Sequence, residues 1–321
     1  MTIKVIGFKD ACATYQKDGE TAYKFVDSGD VYDWLVVYDE LREPTELKCP
    51  SEHTILATCE PVSIKHYGRA FTRQFAHLLT NRPFEAECHP GYRLGKGYYR
   101  LFIGRSLTDC ENCVLPAKTK LISTACSSKQ MKHTKHFARY RLSETLARLV
   151  PGFEWYGHGV KPFEHKYEIL DAYKYHVVVE NHIAPHHWTE KLSDAFLAEC
   201  LPFYAGDPRL SEDFPPESFI PIPIDDPVKA AMIINDAIAN DEYSKRRAAV
   251  LEAKKLILEK YNFWRQVIDV IESAASAAST STGEHASVIL PRKMLRRRSF
   301  SAALEDGWFH LKQYSRAFFT T

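Results

Sequence analysis

Along most of this chain, short apolar runs of strand length alternate with amphipathic stretches of helical period, and this rhythm constrains the fold more than any other feature. Ile3 to Phe8, Trp34 to Tyr38, Thr54 to Thr58 and His77 to Thr80 read as strands, and the pattern resumes with Lys120 to Ala125, Phe153 to Tyr156, Tyr175 to Val179 and Leu201 to Tyr204. Runs that are apolar at successive positions, rather than every second one, belong to strands buried on both faces, the setting of a parallel sheet covered by helices. Between them lie stretches such as Arg141 to Leu149, where Leu142, Leu146 and Leu149 recur at helical spacing. The class is therefore α/β, and 321 residues suit two doubly wound domains better than one.

The segment DCENCVLPAKTK, with Pro116 and two lysines ahead of a new strand, marks the junction, giving an N-terminal domain over residues 1–116 and a second over 117–272. From Pro227 the sequence turns helical, and Leu251, Leu258, Tyr261, Trp264, Ile268 and Ile271 make one apolar stripe on a long helix. The stripe stops at SAASAASTSTGEH, which opens a low-complexity linker over 273–289; a basic, aromatic tail continues over 290–321.

Charge excludes one class of function. Lys plus Arg number 42 against 41 Asp plus Glu, so the chain as a whole is no nucleic-acid binder, and any basic surface is local. The opening MTIKVIGFKDACATYQ carries an apolar stretch too short for a signal peptide, and no window approaches the roughly 20 apolar residues a membrane-spanning helix needs; a cytoplasmic protein is expected. Eight scattered cysteines suit reduced thiols, and Cys110-x-x-Cys113 lacks the second pair that structural zinc requires.

In open α/β sheets ligands bind beyond the carboxyl ends of the strands, which singles out three places. After Tyr175 to Val179 come Glu180 and Asn181, a loop to Trp188, and a helix that Thr189 can cap, with Glu190 and Lys191 in its first turn. A lysine there opposes the helix dipole, so either it bends into water or an anion sits at that terminus. After Lys120 to Ala125, the loop CSSKQMKHTKHFAR leads to a helix bearing Arg139 and Arg141; it is either a solvated basic loop or a phosphate cradle. In the other half, Glu60 follows the strand Thr54 to Thr58 after one residue, Cys59. It is either an exposed loop carboxylate or a general base held at a strand end. Asp225-Asp226, the one adjacent Asp pair, precedes Pro227 and reads as a helix cap rather than a metal ligand set, and His182, His186 and His187 lack a carboxylate at obvious spacing.

The stretch YKYHVVVENHIAPHHWTEKLSDAFLAECLPFYAGDPRLSEDFPPESFI resembles the signature region of the fucosyltransferases of glycosyltransferase family ten, in which Glu-Asn, a short loop and Thr/Ser-Glu-Lys precede a helix and a strand ending in Tyr-x-Gly. ILATCEPVSIKHYGRAFTRQFAHLLTNRP and CSSKQMKHTKHFARYRLSETLARL are similar to the family's Glu-bearing strand end and arginine-bearing loop, so the resemblance covers roughly residues 30 to 265. It implies a GT-B fold of two Rossmann-like domains facing a cleft, here with a C-terminal helical extension. It further implies an inverting, metal-independent transfer of fucose from GDP-fucose to a hydroxyl of an acceptor glycan, with no cofactor. By the same resemblance Glu60 is the catalytic base, Arg139 and Lys191 hold the diphosphate, and Asn181 and Glu190 lie near the sugar and ribose. Two positions depart from the family: His187 stands where an aromatic residue is usual, at the donor site, and Cys59 where a glycine precedes the base.

The same scaffold with another nucleotide-sugar donor, and a non-catalytic nucleotide-sugar-binding subunit, are the alternatives; the second has no need of Glu60. The acceptor is not legible in the loops Lys65 to Arg73 and Cys88 to Tyr99. In the tail, Arg292, Lys293, Arg296, Arg297 and Arg298 precede Trp308, Phe309, Tyr314, Phe318 and Phe319. That pairing suits a peripheral segment on an anionic membrane surface, or one that packs back on the domains.

Overall fold

The computed structural model describes residues 1–8, 13–17, 21–82, 89–97, 103–129, 135–276 and 287–319. The chain forms two packed units, Met1–Gly95 with Phe263–Phe319, and Lys96–Asn262.

The first unit is built on a mostly parallel sheet. Its strands are β1 (Thr2–Ile6), β2 (Ala13–Lys17), β3 (Thr21–Val26), β4 (Trp34–Tyr38), β6 (Thr54–Ala57), β7 (His77–Thr80) and β8 (Tyr92–Leu94), in the order β2-β3-β1-β4-β6-β7-β8, while β5 (Thr45–Glu46) lies outside it. Leu35, Val36, Ile55 and Leu56 are fully buried, which is why their runs are apolar at every position. β2 pairs antiparallel with β3 at the edge, an addition that the sequence rhythm does not announce.

The second unit has β9 (Lys120–Ala125), β10 (Phe153–Tyr156), β11 (Tyr173–Val179), β12 (Leu201–Ala205) and β13 (Ile220–Pro221), all parallel, in the order β10-β9-β11-β12-β13. The chain steps outward from β9 to β10 on one side and from β11 to β13 on the other, so β9 and β11 flank the point where the winding reverses. Helix His136–Leu149 packs with helix Pro227–Ala239, and helix Glu190–Leu197 with helix Glu242–Leu256. Both units are thus Rossmann-like.

The division at 95/96 differs from the boundary after residue 116 that the sequence suggests. Ile103 and Cys110 are buried in the core of the second unit, and Arg105 pairs with Asp171, so the stretch before Pro116 is anchored in the second unit rather than the first. The apolar stripe on one long helix is also corrected. Helix Glu242–Leu256 passes into a π turn, Ile257–Tyr261, and Asn262 is extended before helix Phe263–Ser276 starts afresh. Leu251 is 38% exposed and lies off the buried face. The second helix belongs to the first unit, where Phe263 stacks on Phe8 with ring centroids 4.8 Å apart, and Trp264 lies 4.6 Å from Phe25.

The linker expected over 273–289 is helical to Ser276, and its end forms β14 (Val288–Ile289), antiparallel to β5; residues 277–286 lie outside the described residues. Beyond it come helices Arg292–Arg298 and Phe300–Phe319, whose inner side packs on the first unit. The side chains of Tyr314, Phe318 and Phe319 lie outside the described residues. Among the described residues, no helix is long and apolar enough to cross a membrane.

Candidate functional site

In the second unit the fold brings together, at the reversal of the winding, five of the residues singled out from the sequence. Arg139 stands in the first turn of helix His136–Leu149 and is only 8% exposed. Its guanidinium donates through Nη1 to Asn181 Oδ1, just beyond β11, and through Nη2 to the carbonyl of Ala125 at the end of β9, 3.2 Å away. One side chain thereby ties both strand ends together. Its Nε is buried with no hydrogen-bond partner among the described residues, a donor left over for a ligand.

Thr189 caps helix Glu190–Leu197, its hydroxyl accepting from the Lys191 amide, as the sequence suggests. Lys191 neither bends into water nor points outward alone. Its ammonium donates to Thr189 Oγ1 at 2.9 Å, to Glu190 Oε1 at 3.1 Å and to Glu180 Oε2 at 3.4 Å. Burial works against its charge, but Glu180 and Glu190 outweigh burial and the opposing Arg139, and hold the ammonium above the usual lysine value. Burial likewise works against the Glu190 carboxylate, yet Lys191 and Lys166 bring it down to about 2, so the pair stays ionised.

Glu180 is the residue the sequence reading passes over. It is fully buried, and its carboxylate accepts from the Thr189 amide at 2.9 Å and the Thr189 hydroxyl at 2.7 Å as well as from Lys191. It therefore fixes the helix start and the lysine together; its place beside Asn181 in the Glu-Asn pair was the available signal. Gly206, at the end of β12, lets that strand approach: a Cβ there would lie 2.2 Å from the Tyr204 hydroxyl and 2.7 Å from Glu180 Cγ. His187 is buried, with its ring edge-on to His182 at 5.3 Å. Beyond the ends of β12 and β13 lies a cavity of about 400 Å³, walled by Ile183, Tyr204, Phe219 and Ile222.

His186 meets carboxylates that its sequence spacing does not announce. Its Nδ1 lies 3.8 Å from Asp213 Oδ2 and its Nε2 lies 4.0 Å from Glu212, and the ligand atoms of His186, Asp207 and Asp213 fall within 4.8 Å of one another. Asp213 is already engaged, however, by the Lys96 ammonium and the Trp188 indole N–H. Asp226 caps helix Pro227–Ala239 by accepting from the Lys229 amide, as read from sequence.

Glu60 lies in the first unit, just past the end of β6. Its loop is held by one hydroxyl: Tyr67 OH accepts from the amides of Cys59 and Glu60, both at 3.2 Å, and donates to Asp39. Lys65 pairs with Asp39 at 2.8 Å and with Glu40 at 2.6 Å, and the Arg82 guanidinium lies 4.9 Å from the centre of the Tyr67 ring. Burial, with Asp39 nearby, raises the Tyr67 phenol well above its ordinary value, so it stays a neutral donor.

No protein-family model matches the chain. Over 64 residues, a fifth of its length, the chain is 38% identical to the alpha-(1,3)-fucosyltransferase FucT of Helicobacter pylori, and the match spans 13% of that relative. Among solved structures it is similar to an alpha1,3-fucosyltransferase, with a TM-score of 0.48 and 14% identity, covering 87% of this chain and 90% of the other. It is also similar to Anabaena HepE in complex with UDP-glucose, with a TM-score of 0.46 and 12% identity, covering 78% and 79%.

Proposed function

We propose that the chain is a glycosyltransferase that takes fucose from GDP-fucose and passes it, with inversion, to a hydroxyl of an acceptor glycan. The observation that carries this reading is Arg139, buried across the ends of β9 and β11 with its Nε unpaired among the described residues, beside an ammonium already ordered by Glu180 and Glu190. Two fixed cations at a winding reversal suit a diphosphate. The segment identity to a fucosyltransferase supports fucose as the sugar.

In this reading the diphosphate accepts from Arg139 and Lys191, Glu190 turns its carboxylate to the ribose hydroxyls, and Asn181 and His187 line the sugar. The acceptor oxygen bonds to the anomeric carbon as the bond from that carbon to the diphosphate oxygen breaks. Glu60 takes the hydroxyl proton, and the charge left on GDP is met by the two cations. No divalent ion has a task in this scheme, so turnover is expected to persist in EDTA; loss on chelation with recovery on manganese would overturn that part.

The deciding experiment is release of free nucleotide from GDP-fucose, GDP-mannose and UDP-sugars over a panel of acceptor glycans, alongside calorimetry of GDP. Arg139→Ala and Lys191→Ala are each expected to weaken GDP by about tenfold or more, and together by less than the product, because both act on one group. Unchanged GDP affinity in both variants would remove the phosphate assignment.

A further inference from the structure

The loop between β11 and helix Glu190–Leu197 sets one imidazole against two buried carboxylates. His186 Nδ1 lies 3.8 Å from Asp213 Oδ2, and the ligand atoms of His186, Asp207 and Asp213 fall within 4.8 Å of one another. Asp207 stands just beyond the end of β12 and Asp213 follows the short turn Leu210–Glu212; each is only 4% exposed. Oδ1 of Asp207 accepts from the Arg209 amide at 2.8 Å, but its Oδ2 is buried with no hydrogen-bond partner among the described residues. A carboxylate oxygen shut away from water with nothing donating to it is costly, and a cation is one remedy.

The three side chains are held from behind, as ligands are at metal centres. Asp213 is oriented by the Lys96 ammonium on Oδ1 and by the Trp188 indole N–H, 3.0 Å from Oδ2. The His186 ring turns Nδ1 to the carboxylates while its Nε2 lies 4.0 Å from Glu212, which is itself clamped by Nε and Nη2 of Arg209 at 2.5 and 2.7 Å. A carboxylate behind the far nitrogen fixes which nitrogen faces the centre. Lys96 answers the charge of Asp213 and leaves that of Asp207.

We propose that His186, Asp207 and Asp213 bind a zinc ion. One nitrogen and two oxygens make a ligand set unlike the all-oxygen cages of calcium and magnesium, and on such a set zinc outbinds manganese and iron. Zinc bonds of about 2.0–2.2 Å place tetrahedral ligands about 3.4 Å apart, so the set closes on the ion by about an ångström through side-chain torsions. Asp207 also lines the cavity of about 400 Å³ beyond the ends of β12 and β13, which gives the ion a way in and room for a water as fourth ligand. The ion ties the loop 182–188 to the end of β12. Its role is structural, and the transfer proposed above does not pass through it.

The test strips the full chain with EDTA, removes the chelator and titrates zinc chloride by calorimetry. One equivalent is expected to bind with a Kd of about 1 µM or below, and to raise the melting temperature by about 5 °C or more at a hundredfold excess over Kd. Magnesium and calcium chloride at the same concentration should do neither. Asp207→Asn and His186→Gln should each weaken zinc by about tenfold or more, and Glu212→Gln, which lies outside the ligand set, by severalfold. Metal-free melting curves check that each variant folds; should Asp207→Asn fail to, the other two carry the test. Cys113→Ala should change nothing, since the Cys110-x-x-Cys113 pair is not the site. Absence of a one-to-one site, zinc affinity untouched in the folded variants, or binding lost with Cys113→Ala would each overturn the proposal. None of these readouts depends on turnover, so they stand apart from the proposed chemistry.

Discussion

Tyr67 shows how much of the candidate chemistry rests on residues that never meet a substrate. Its hydroxyl holds the amides of Cys59 and Glu60 and is itself fixed by Asp39, so Tyr67→Phe should leave the carboxylate in place chemically but loosely aimed. A fall in kcat of about tenfold, with donor KM unchanged, is the expected signature of such a positioning role. Glu60→Gln should go further, lowering turnover by about 100-fold or more while GDP affinity stays within about twofold, since a base acts on the acceptor proton. Single-turnover assays with parallel GDP calorimetry check both; near-normal turnover of the Gln variant removes Glu60 from the reaction. At this scale the sequence is informative where chemistry is local. Arg139, Asn181 and Lys191 could be singled out because each sits at a strand end or in a first helical turn. The partners of His186 could not, because Asp207 and Asp213 reach it only after the chain has run through a helix and β12.

Strands were legible as elements more evenly than their burial would suggest. The extent of β4 coincides with its apolar run, because a strand covered on both faces has no polar side to blur its ends, and β7 and the partly exposed β9 and β10 coincide too, whereas the well-buried β11 starts two residues earlier than its run. The β2–β3 hairpin is hidden for the opposite reason: only Tyr23 and Phe25 of β3 face the core, in alternation with surface positions. The break at Asn262 escapes a periodicity argument too, since the π turn shifts the phase while apolar residues continue through it. Another element-level constraint concerns the loop before helix Glu190–Leu197. Gly97 has φ +73° and lies against Trp188, whose ring a Cβ would meet at 2.3 Å, and that ring is held by Asp213. Gly97→Ala should therefore destabilise the second unit by about 2–3 kcal/mol through overpacking and backbone strain, read as a lower urea midpoint at constant m. A variant of unchanged midpoint would show that the loop yields easily.

Across the whole molecule, buried histidines tie stability to pH. Burial, with Lys166 and Lys118 nearby, lowers the His176 imidazole to about 3, and burial with Arg93 nearby lowers His77 to about 4. A histidine with a depressed value in the fold binds its proton more readily unfolded, so stability should be full above about pH 6.5 and fall as pH drops through the range down to those values. From pH 7 to pH 5, His176 alone should account for about 2 kcal/mol, measurable by urea unfolding at the two pH values; His176→Gln should flatten that slope, and an unaltered slope would remove the assignment. Sequence periodicity finds helices without telling which sheet they cover, and so could not foresee that Phe263–Ser276 returns to the first unit. That return has a consequence for biogenesis. During synthesis on the ribosome, residues 96–262 emerge as one uninterrupted stretch and can close their core at once, whereas the first 95 residues must wait, with Phe8, Phe25 and Tyr38 uncovered, for a helix made more than 160 residues later. The nascent amino-terminal segment is therefore the natural client of a chaperone, and a stop after residue 262 should leave it open to protease while the later-made unit survives intact.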